Sequence, residues 1–189
     1  MRRVSLPANL ESLTTKFPTI SHFSNAYKAV SIHAAGVYPD RCILTNDSPP
    51  LSIIKRAYGN GHTVGWLVKL LSDWQELISV KNKMTVFQIH MLAETIMRDF
   101  SYLRASEIML FLARLSGGAY DADWYTTVSP DVIVRMLSTR FLPERNTILD
   151  RQREKERAKT PPHHPITWEE YCRRHNIDRP NPLTDILKP

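Results

Sequence analysis

The residues that most often carry out chemistry in proteins are scattered along this sequence and form no recognisable set. No two of the seven histidines are four residues apart, which is the spacing that lets a helix present two imidazoles to one metal ion. His163 and His164 lie between prolines, and Asp121 and Asp123 are predicted to form a solvated acidic turn. The sequence therefore predicts no metal site.

Nucleophilic catalysis is not indicated either. The sequence contains no identifiable Ser/His/Asp or Cys/His set, and no glycine-rich loop follows a predicted strand. We therefore expect a protein that is not an enzyme, with no catalytic residues and no cofactor. The two cysteines, Cys42 and Cys172, lie far apart in the chain and form no disulfide framework, which fits a reducing cytoplasm.

Aromatic side chains are the best candidates for contact with a protein partner, because such rings are enriched in interfaces. Three of them, Tyr120, Trp124 and Tyr125, surround the acidic turn, and two more, Trp168 and Tyr171, share one face of a short helix near the C-terminus. We expect all five to bind a partner. The alternative is that the first three cap the end of the core and that the short helix folds back onto it.

A set of basic residues could follow the phosphates of a nucleic acid: Arg145, Arg151, Arg153, Lys155, Arg157 and Lys159. They lie on a predicted helix that also carries acidic residues three positions from basic ones, so the alternative is a solvated spacer helix. The net charge of +6 is spread among interspersed charges of both signs. Any DNA binding through this helix is therefore expected to be salt-sensitive.

A helix-turn-helix unit is a second candidate for DNA binding. Within residues 53–70, roughly the spacing of small, turn and buried positions in that motif is found at Ala57, Gly61, Leu67 and Leu70. Arg56 and His62, however, occupy positions where apolar residues are expected. Two ordinary packed helices are the alternative interpretation of this segment.

The elements that must position these residues are predicted to be helices. Thr85 and Gln88 form a capping box, and Met84 and Ile89 are placed as its hydrophobic staple. The apolar residues that follow recur every three or four positions. Residues 108–113 are all apolar, so a helix there must be buried on most sides. Strand patterns are weak throughout the chain. The sequence therefore predicts an all-α fold in which these two central helices are covered by the others.

The covering helices can be placed approximately. We predict a short helix over Leu10 and Leu13, an amphipathic helix from Phe23 to about Gly36, and a loop over residues 38–50. Further helices are predicted over residues 51–58 and 64–78, and after Ser129, the last of these kinked or ended by Pro143. The result is a compact bundle of about six helices with a charged C-terminal helix and a proline-linked short helix.

These elements divide the chain into four predicted parts: an N-terminal extension (1–19), a helical core domain (20–142), a charged helix (143–159) and a proline-rich C-terminal arm (160–189). The N-terminus lacks the apolar core of a signal peptide, and no apolar run approaches the length of a membrane span. We therefore expect a soluble, cytoplasmic protein that does not bind membranes.

Several segments between Pro50 and Asn146 resemble an uncharacterised helical family, a domain of unknown function encoded by gut anaerobes, their phages and conjugative elements. The resemblance rests on residues 57–59, 85–89, 107–111, 118–120 and 141–146. It implies a role in mobile-element biology, as a small helical adaptor such as a helicase loader. The family's turn after the central helices is glycine-rich and basic, whereas this chain has Asp121-Ala122-Asp123, which disfavours phosphate binding there.

Two functional hypotheses follow. The first is a non-enzymatic adaptor or accessory protein of a mobile genetic element, acting in replication or another nucleoprotein assembly and binding a protein partner. The second is a DNA-binding transcriptional regulator that uses the unit at residues 53–70. They differ in the molecule that is bound specifically, since the adaptor needs a protein partner and the regulator a DNA sequence.

Overall fold

The computed structural model describes residues 8–45, 48–78, 80–120, 128–159 and 167–175. Within these residues the chain forms helices and turns and no strand, although isolated backbone bridges occur, such as that between Pro50 and Arg104, which confirms the all-α prediction. The helices are α1 (Ala8–Lys16), α2 (Ile20–Ala26), α3 (Ile32–Val37), α4 (Pro39–Leu44), α5 (Leu51–Tyr58), α6 (Asn60–Leu77), α7 (Val86–Asp99), α8 (Ala105–Ser116), α9 (Pro130–Met136), α10 (Leu142–Lys159) and α11 (Trp168–His175).

The chain divides into two compact units, Met1–Gln152 and Arg153–Pro189. The four-part division predicted from the sequence stays a prediction. In the first unit, α8 packs against α3 and α4, whereas α7 packs against α6 and α9. The two central helices are thus each covered by other helices, and both contribute to one hydrophobic core.

Helix α7 begins as its sequence predicts. The backbone N–H of Gln88 donates to Thr85 Oγ1 over 3.3 Å, and the N–H of Thr85 donates to Gln88 Oε1 over 2.8 Å. These two bonds form the reciprocal capping box. Met84 and Ile89, the predicted staple on either side of the cap, are both buried. The first turn of α7 is therefore fixed in the free protein.

The helix predicted from Phe23 to Gly36 is instead broken into α2, a 3-10 turn over Ala29–Ser31, and α3. A hydrogen bond from another helix explains the break. The indole N–H of Trp66, on α6, donates to the carbonyl of Tyr27 over 3.1 Å and occupies an acceptor that a continuous helix would use internally. Val30 consequently points outward and is 69% exposed.

Two other predictions about local structure also need correction. The loop predicted over residues 38–50 contains α4, which begins at Pro39 and buries Ile43. Proline fits there because the first helical turn needs no donor from its N–H. Of the two outcomes predicted for Pro143, it does not end the helix after Ser129, since a π-helical turn over Leu137–Phe141 leads into α10, in whose first turn Pro143 lies. A kink at Pro143 stays a prediction.

Gly59 forms the corner between α5 and α6 with φ 89° and ψ 158°, a conformation open almost only to glycine. We expect Gly59→Ala to lower the free energy of unfolding by about 1–3 kcal/mol, measured by urea denaturation. Gly65→Ala is the matched control, because Gly65 lies inside α6 with no neighbouring atom within 4 Å of an added Cβ. At Gly65 the same change should stabilise the protein by roughly 0.5–1 kcal/mol. Equal effects at the two positions would show that the backbone conformation at Gly59 does not require glycine.

Candidate protein-binding site

An apolar groove of about 570 Å³ opens between the C-terminal end of α8, α3 with the turn before it, and the end of α6. Its lining comes from residues 29–37 and 113–117 together with Leu77. Grooves of this size, lined mainly by apolar side chains, are the usual sites for ligands and for protruding partner side chains. It is therefore the first candidate for a functional site.

The groove exists because three helices are held at fixed positions. A Cβ added to Gly36 would lie 3.2 Å from the Cβ of Ala113, so the absence of a side chain at Gly36 lets α3 approach α8 closely. The indole N–H of Trp74, on α6, donates to Ser116 Oγ over 2.9 Å, which fixes the end of α8 against α6. The floor of the groove is thus defined by packing rather than by mobile loops.

The rim of the groove carries apolar side chains that contact water. Val30 is 69% exposed, Val37 is 53% exposed and Leu77 is 59% exposed. Single exposed apolar residues are common on protein surfaces, but a cluster around one groove is typical of a binding site. His33 is the titratable residue in the lining.

A second feature is the network of charges that attaches the first turn of α10 to α8. Glu107, on α8, is fully buried, and its carboxylate accepts hydrogen bonds from Arg145 Nε over 2.5 Å and from the backbone N–H of Arg104 over 2.8 Å. The guanidinium of Arg145 also lies 5.9 Å from the centre of the Tyr102 ring. This ion pair is shielded from water and therefore from screening by salt.

Glu144, the residue before Arg145 in α10, pairs with a positively charged residue of α8. Its carboxylate is 2.7 Å from Arg114 Nη2 and accepts the hydroxyl of Tyr120 over 3.0 Å. Burial, followed by the negative charge of Glu144, raises the pKa of the Tyr120 hydroxyl, which therefore stays protonated and acts as the donor. Adjacent residues of opposite charge thus fix the first turn of α10 against α8.

The aromatic residues predicted to bind a partner are placed differently from one another. Tyr120 is 8% exposed and its ring stacks on Phe111, so it belongs to the core and does not offer a surface ring. Trp124, Tyr125 and the side chain of Trp168 lie outside the described residues, and the predictions for them remain. Tyr171, on α11, is 38% exposed, with its ring 4.5 Å from that of His175.

The basic residues predicted to contact nucleic acid fall into two groups. Arg145 is bound to Glu107, with its side chain only 17% exposed, and this pairing withdraws it from the surface. The remaining five are exposed along α10: Arg151, Arg153, Lys155, Arg157 and Lys159. Their predicted contact with DNA stays a prediction.

The predicted helix-turn-helix unit consists of α5 and α6, which are separated by Gly59 alone. The DNA-binding motif usually has a turn of three or four residues between its helices. Arg56 and His62 are exposed at this corner, and Leu67 and Leu70 are buried, as ordinary helix packing also requires. DNA recognition by this unit remains a prediction. The corner, which consists of Gly59 alone, is shorter than the turn of the DNA-binding motif and does not favour it.

The residues that the structure describes support neither a metal site nor nucleophilic catalysis. Within them, no group of three or more His, Cys, Asp or Glu side chains is placed to hold a metal ion. Burial, followed by the charge of Glu107, raises the pKa of Cys42, so its thiol is poorly suited to act as a nucleophile. No helix in the described part of the chain is long and apolar enough to cross a membrane.

Sequence reasoning missed the groove. Its rim residues come from three separate helices, and the break between α2 and α3 that turns Val30 outward depends on a distant hydrogen bond. Leu77 lies at the last helical position of α6 and is exposed. No local pattern in the sequence marks these residues as a set.

Comparison with known proteins identifies the family. Residues 83–180 match a family of unknown function, DUF6633. The match covers more than half of the chain, so this protein belongs to that family. No curated protein and no solved structure matches the chain.

Proposed function

We propose that the protein is a non-enzymatic helical adaptor that binds a protein partner through the groove between α3, α6 and α8. The observation that supports this most is the exposure of Val30, Val37 and Leu77 around a groove with a rigid floor. A preformed apolar groove loses little conformational entropy when it binds, which favours affinity. The bound segment would place apolar side chains in the groove.

We place this adaptor in a mobile genetic element, in replication or in another nucleoprotein assembly, with a role like that of a helicase loader. Support comes from the resemblance of residues 50–146 to proteins of phages and conjugative elements. The five exposed basic residues of α10 are compatible with such a setting, because weak phosphate contacts bring a protein close to DNA.

The test is affinity capture from the native host, with identification by mass spectrometry. The wild type is compared with the double variant Val30→Ser/Leu77→Ser and with Tyr102→Ser, which changes an exposed ring outside the groove. We expect a protein partner that the wild type and Tyr102→Ser retain and that the groove variant loses. A partner retained equally by all three would contradict binding through the groove.

The regulator hypothesis is tested on the same protein with DNA. An adaptor should bind DNA weakly, with an affinity that falls steeply as salt is raised, whereas a regulator should keep a sequence-specific site at physiological salt. Selection of DNA fragments from the host genome at physiological salt separates the two. A single enriched sequence whose binding is lost in Arg56→Ala/His62→Ala would favour the regulator.

The C-terminal arm supplies a further prediction. Helix α11 has eight residues, and isolated helices shorter than about 12 residues are marginal in water, so it needs a surface to remain folded. We expect removal of residues 160–189 to leave the melting temperature nearly unchanged but to abolish partner binding, and Trp168→Ala to reproduce much of that loss. A melting temperature lowered by many degrees would instead make the arm part of the core.

A further inference from the structure

The π-helical turn over Leu137–Phe141, which joins α9 to α10, contains one residue more than an α-helical turn. The backbone N–H of Leu142 donates to the carbonyl of Leu137, five residues back, whereas an α-helix would use the carbonyl four residues back. Single π-turns inside α-helices are rare and frequently occur at functional sites. Each residue after the turn therefore occupies the place that the residue before it would have in an unbroken α-helix.

The extra residue determines which charges of α10 face α8. Arg145 Nε is 2.5 Å from the carboxylate of Glu107, which is fully buried. The carboxylate of Glu144 is 2.7 Å from Arg114. In an unbroken α-helix Glu144 would take the place of Arg145, and two carboxylates would meet at Glu107, which is strongly unfavourable in a buried site. Pro143 would then lie opposite Arg114, so both ion pairs require the π-turn.

The apolar contacts of α10 distinguish the two arrangements less sharply. No residue of α10, all of which the structure describes, is fully buried. Ile148 and Leu149 pack against the core as half-buried side chains. In an unbroken α-helix Ile148 would take the place of Leu149, one aliphatic side chain for another, and Thr147 would take the place of Ile148. The ion pairs therefore carry most of the preference that side chains of α10 give to the π-turn.

Pro143 also favours the π-turn. A proline in the interior of an α-helix clashes with the carbonyl four residues before it, which here is that of Thr139. The π-turn changes this contact. The effects of the proline ring and of the ion pairs can be separated, because Pro143→Ala removes the first and leaves the second.

We propose that α10 has two registers and that its ion pairs with α8 select the one that contains the π-turn. In the second register the π-turn becomes an α-helical turn, and α10 advances by one residue, which is a rotation of about 100° and a shift of about 1.5 Å. Loss of the pairs moves the population toward this register. Arg114 and Glu144 are 30% and 29% exposed, so a charged group of a partner can reach them and compete for either one.

The change of register alters the surface that α10 presents to solvent. Arg151, one of the exposed residues predicted to contact nucleic acid, lies on the same helix and turns with it relative to α8. The device does not depend on the groove or on the adaptor function. It gives a partner that binds near Arg114 a way to reorient a second surface of the protein.

The experiment uses the full chain with Pro143→Ala, in which the proline ring no longer opposes an α-helical turn. Hydrogen-bond couplings in NMR spectra identify the carbonyl that accepts the N–H of Leu142. We expect Pro143→Ala alone to keep Leu137 as the acceptor, because the ion pairs are intact. A change of the acceptor to Ser138 in this protein would overturn the proposal, since the proline and not the ion pairs would then hold the π-turn.

The decisive variant, made in the same background, exchanges two neighbouring charges. With Glu144→Arg/Arg145→Glu, only the α-helical register brings an arginine to Glu107, so the N–H of the π-turn should move its hydrogen bond to the carbonyl one residue later. The matched control, Asp150→Arg/Arg151→Asp, makes the same kind of exchange at two exposed positions of α10 and should leave the π-turn in place. An unchanged acceptor in the first variant, or the same change in both, would overturn the proposal.

A deletion tests the same register should the exchanged protein not fold, which its melting curve shows. Deletion of Thr139 from the Pro143→Ala protein takes the extra residue out of the turn, so that an unbroken α-helix keeps both ion pairs. The melting temperature should therefore stay close to that of Pro143→Ala. The matched control is deletion of Thr147, because both threonines are exposed and donate their hydroxyls to the carbonyl four residues before them. That deletion displaces Ile148 and should lower the melting temperature by several degrees.

Glu107→Ala then shows whether the ion pair survives the deletion. It should lower the melting temperature equally with and without Thr139, because Arg145 faces Glu107 in both proteins. Equal losses of stability on deletion of Thr139 and of Thr147, or no further loss from Glu107→Ala after deletion of Thr139, would overturn the proposal.

Discussion

Glu107→Ala is expected to lower the free energy of unfolding by about 3 kcal/mol, because it leaves a shielded positive charge without its partner. The Glu107 carboxylate is fully buried between the guanidinium of Arg145 and the backbone N–H of Arg104. Without it, two donors lose an acceptor that water cannot easily replace. Urea denaturation, with the slope of the transition compared between proteins, measures the change.

Two further proteins make this prediction specific. Glu94→Ala removes a half-exposed carboxylate from α7 and should change stability by less than about 0.5 kcal/mol. The double variant Glu107→Leu/Arg145→Met replaces the whole pair with apolar side chains and should recover much of the lost stability. A Glu107→Ala protein as stable as the Glu94→Ala control would mean that the pair does not attach α10 to α8.

Local sequence patterns predicted those elements whose determinants lie within a few residues of each other. The capping box of Thr85 and Gln88, the buried staple beside it and the limits of α5 are all set by neighbouring residues, and the structure has them as predicted. Residues 108–112 of α8 are buried because an unbroken apolar run leaves no polar face for water. Such determinants can be read from the sequence without knowledge of a particular distant partner.

Elements set by distant contacts could not be predicted in this way. The break after α2 depends on Trp66, which is 39 positions from the Tyr27 carbonyl that it binds. Serine is a residue type that often caps a following helix, but the Oγ of Ser48 accepts the backbone N–H of Ser106 at the start of α8, 58 positions away. A competing tertiary acceptor or donor overrides a local preference whenever its geometry is better.

The candidate sites show the same limit. Arg145 and Tyr120 have residue types that favour phosphates and partners, yet the structure pairs them with carboxylates 38 and 24 positions away. The reverse holds for Phe87 and Val86, whose apolar character suggests burial although they lie on the outer side of α7. Residue type alone does not distinguish an internal partner from an external one, since the same chemistry serves both.

Leu110→Ala is expected to lower the free energy of unfolding by about 2–5 kcal/mol, the range for a buried leucine whose site cannot collapse. Leu110 is fully buried in α8, and the helix is held on several sides. It packs on α3 and α4, and the ring of its neighbour Phe111 lies 5.6 Å from that of Phe141, which precedes α10. Because these elements fix the position of α8, the cavity should remain open rather than close by movement of the helix.

The matched control is Leu77→Ala, which shortens the same side chain at a position 59% exposed and should change stability by less than about 0.5 kcal/mol. Both proteins are measured by urea denaturation under identical conditions. A loss below about 0.5 kcal/mol for Leu110→Ala would show that α8 is not the centre of the core. Relaxation of the surroundings reduces the cost of a cavity. A loss near about 5 kcal/mol would therefore indicate that the ion pairs of α10 and the packing of α3 keep α8 in place when the Leu110 side chain is truncated.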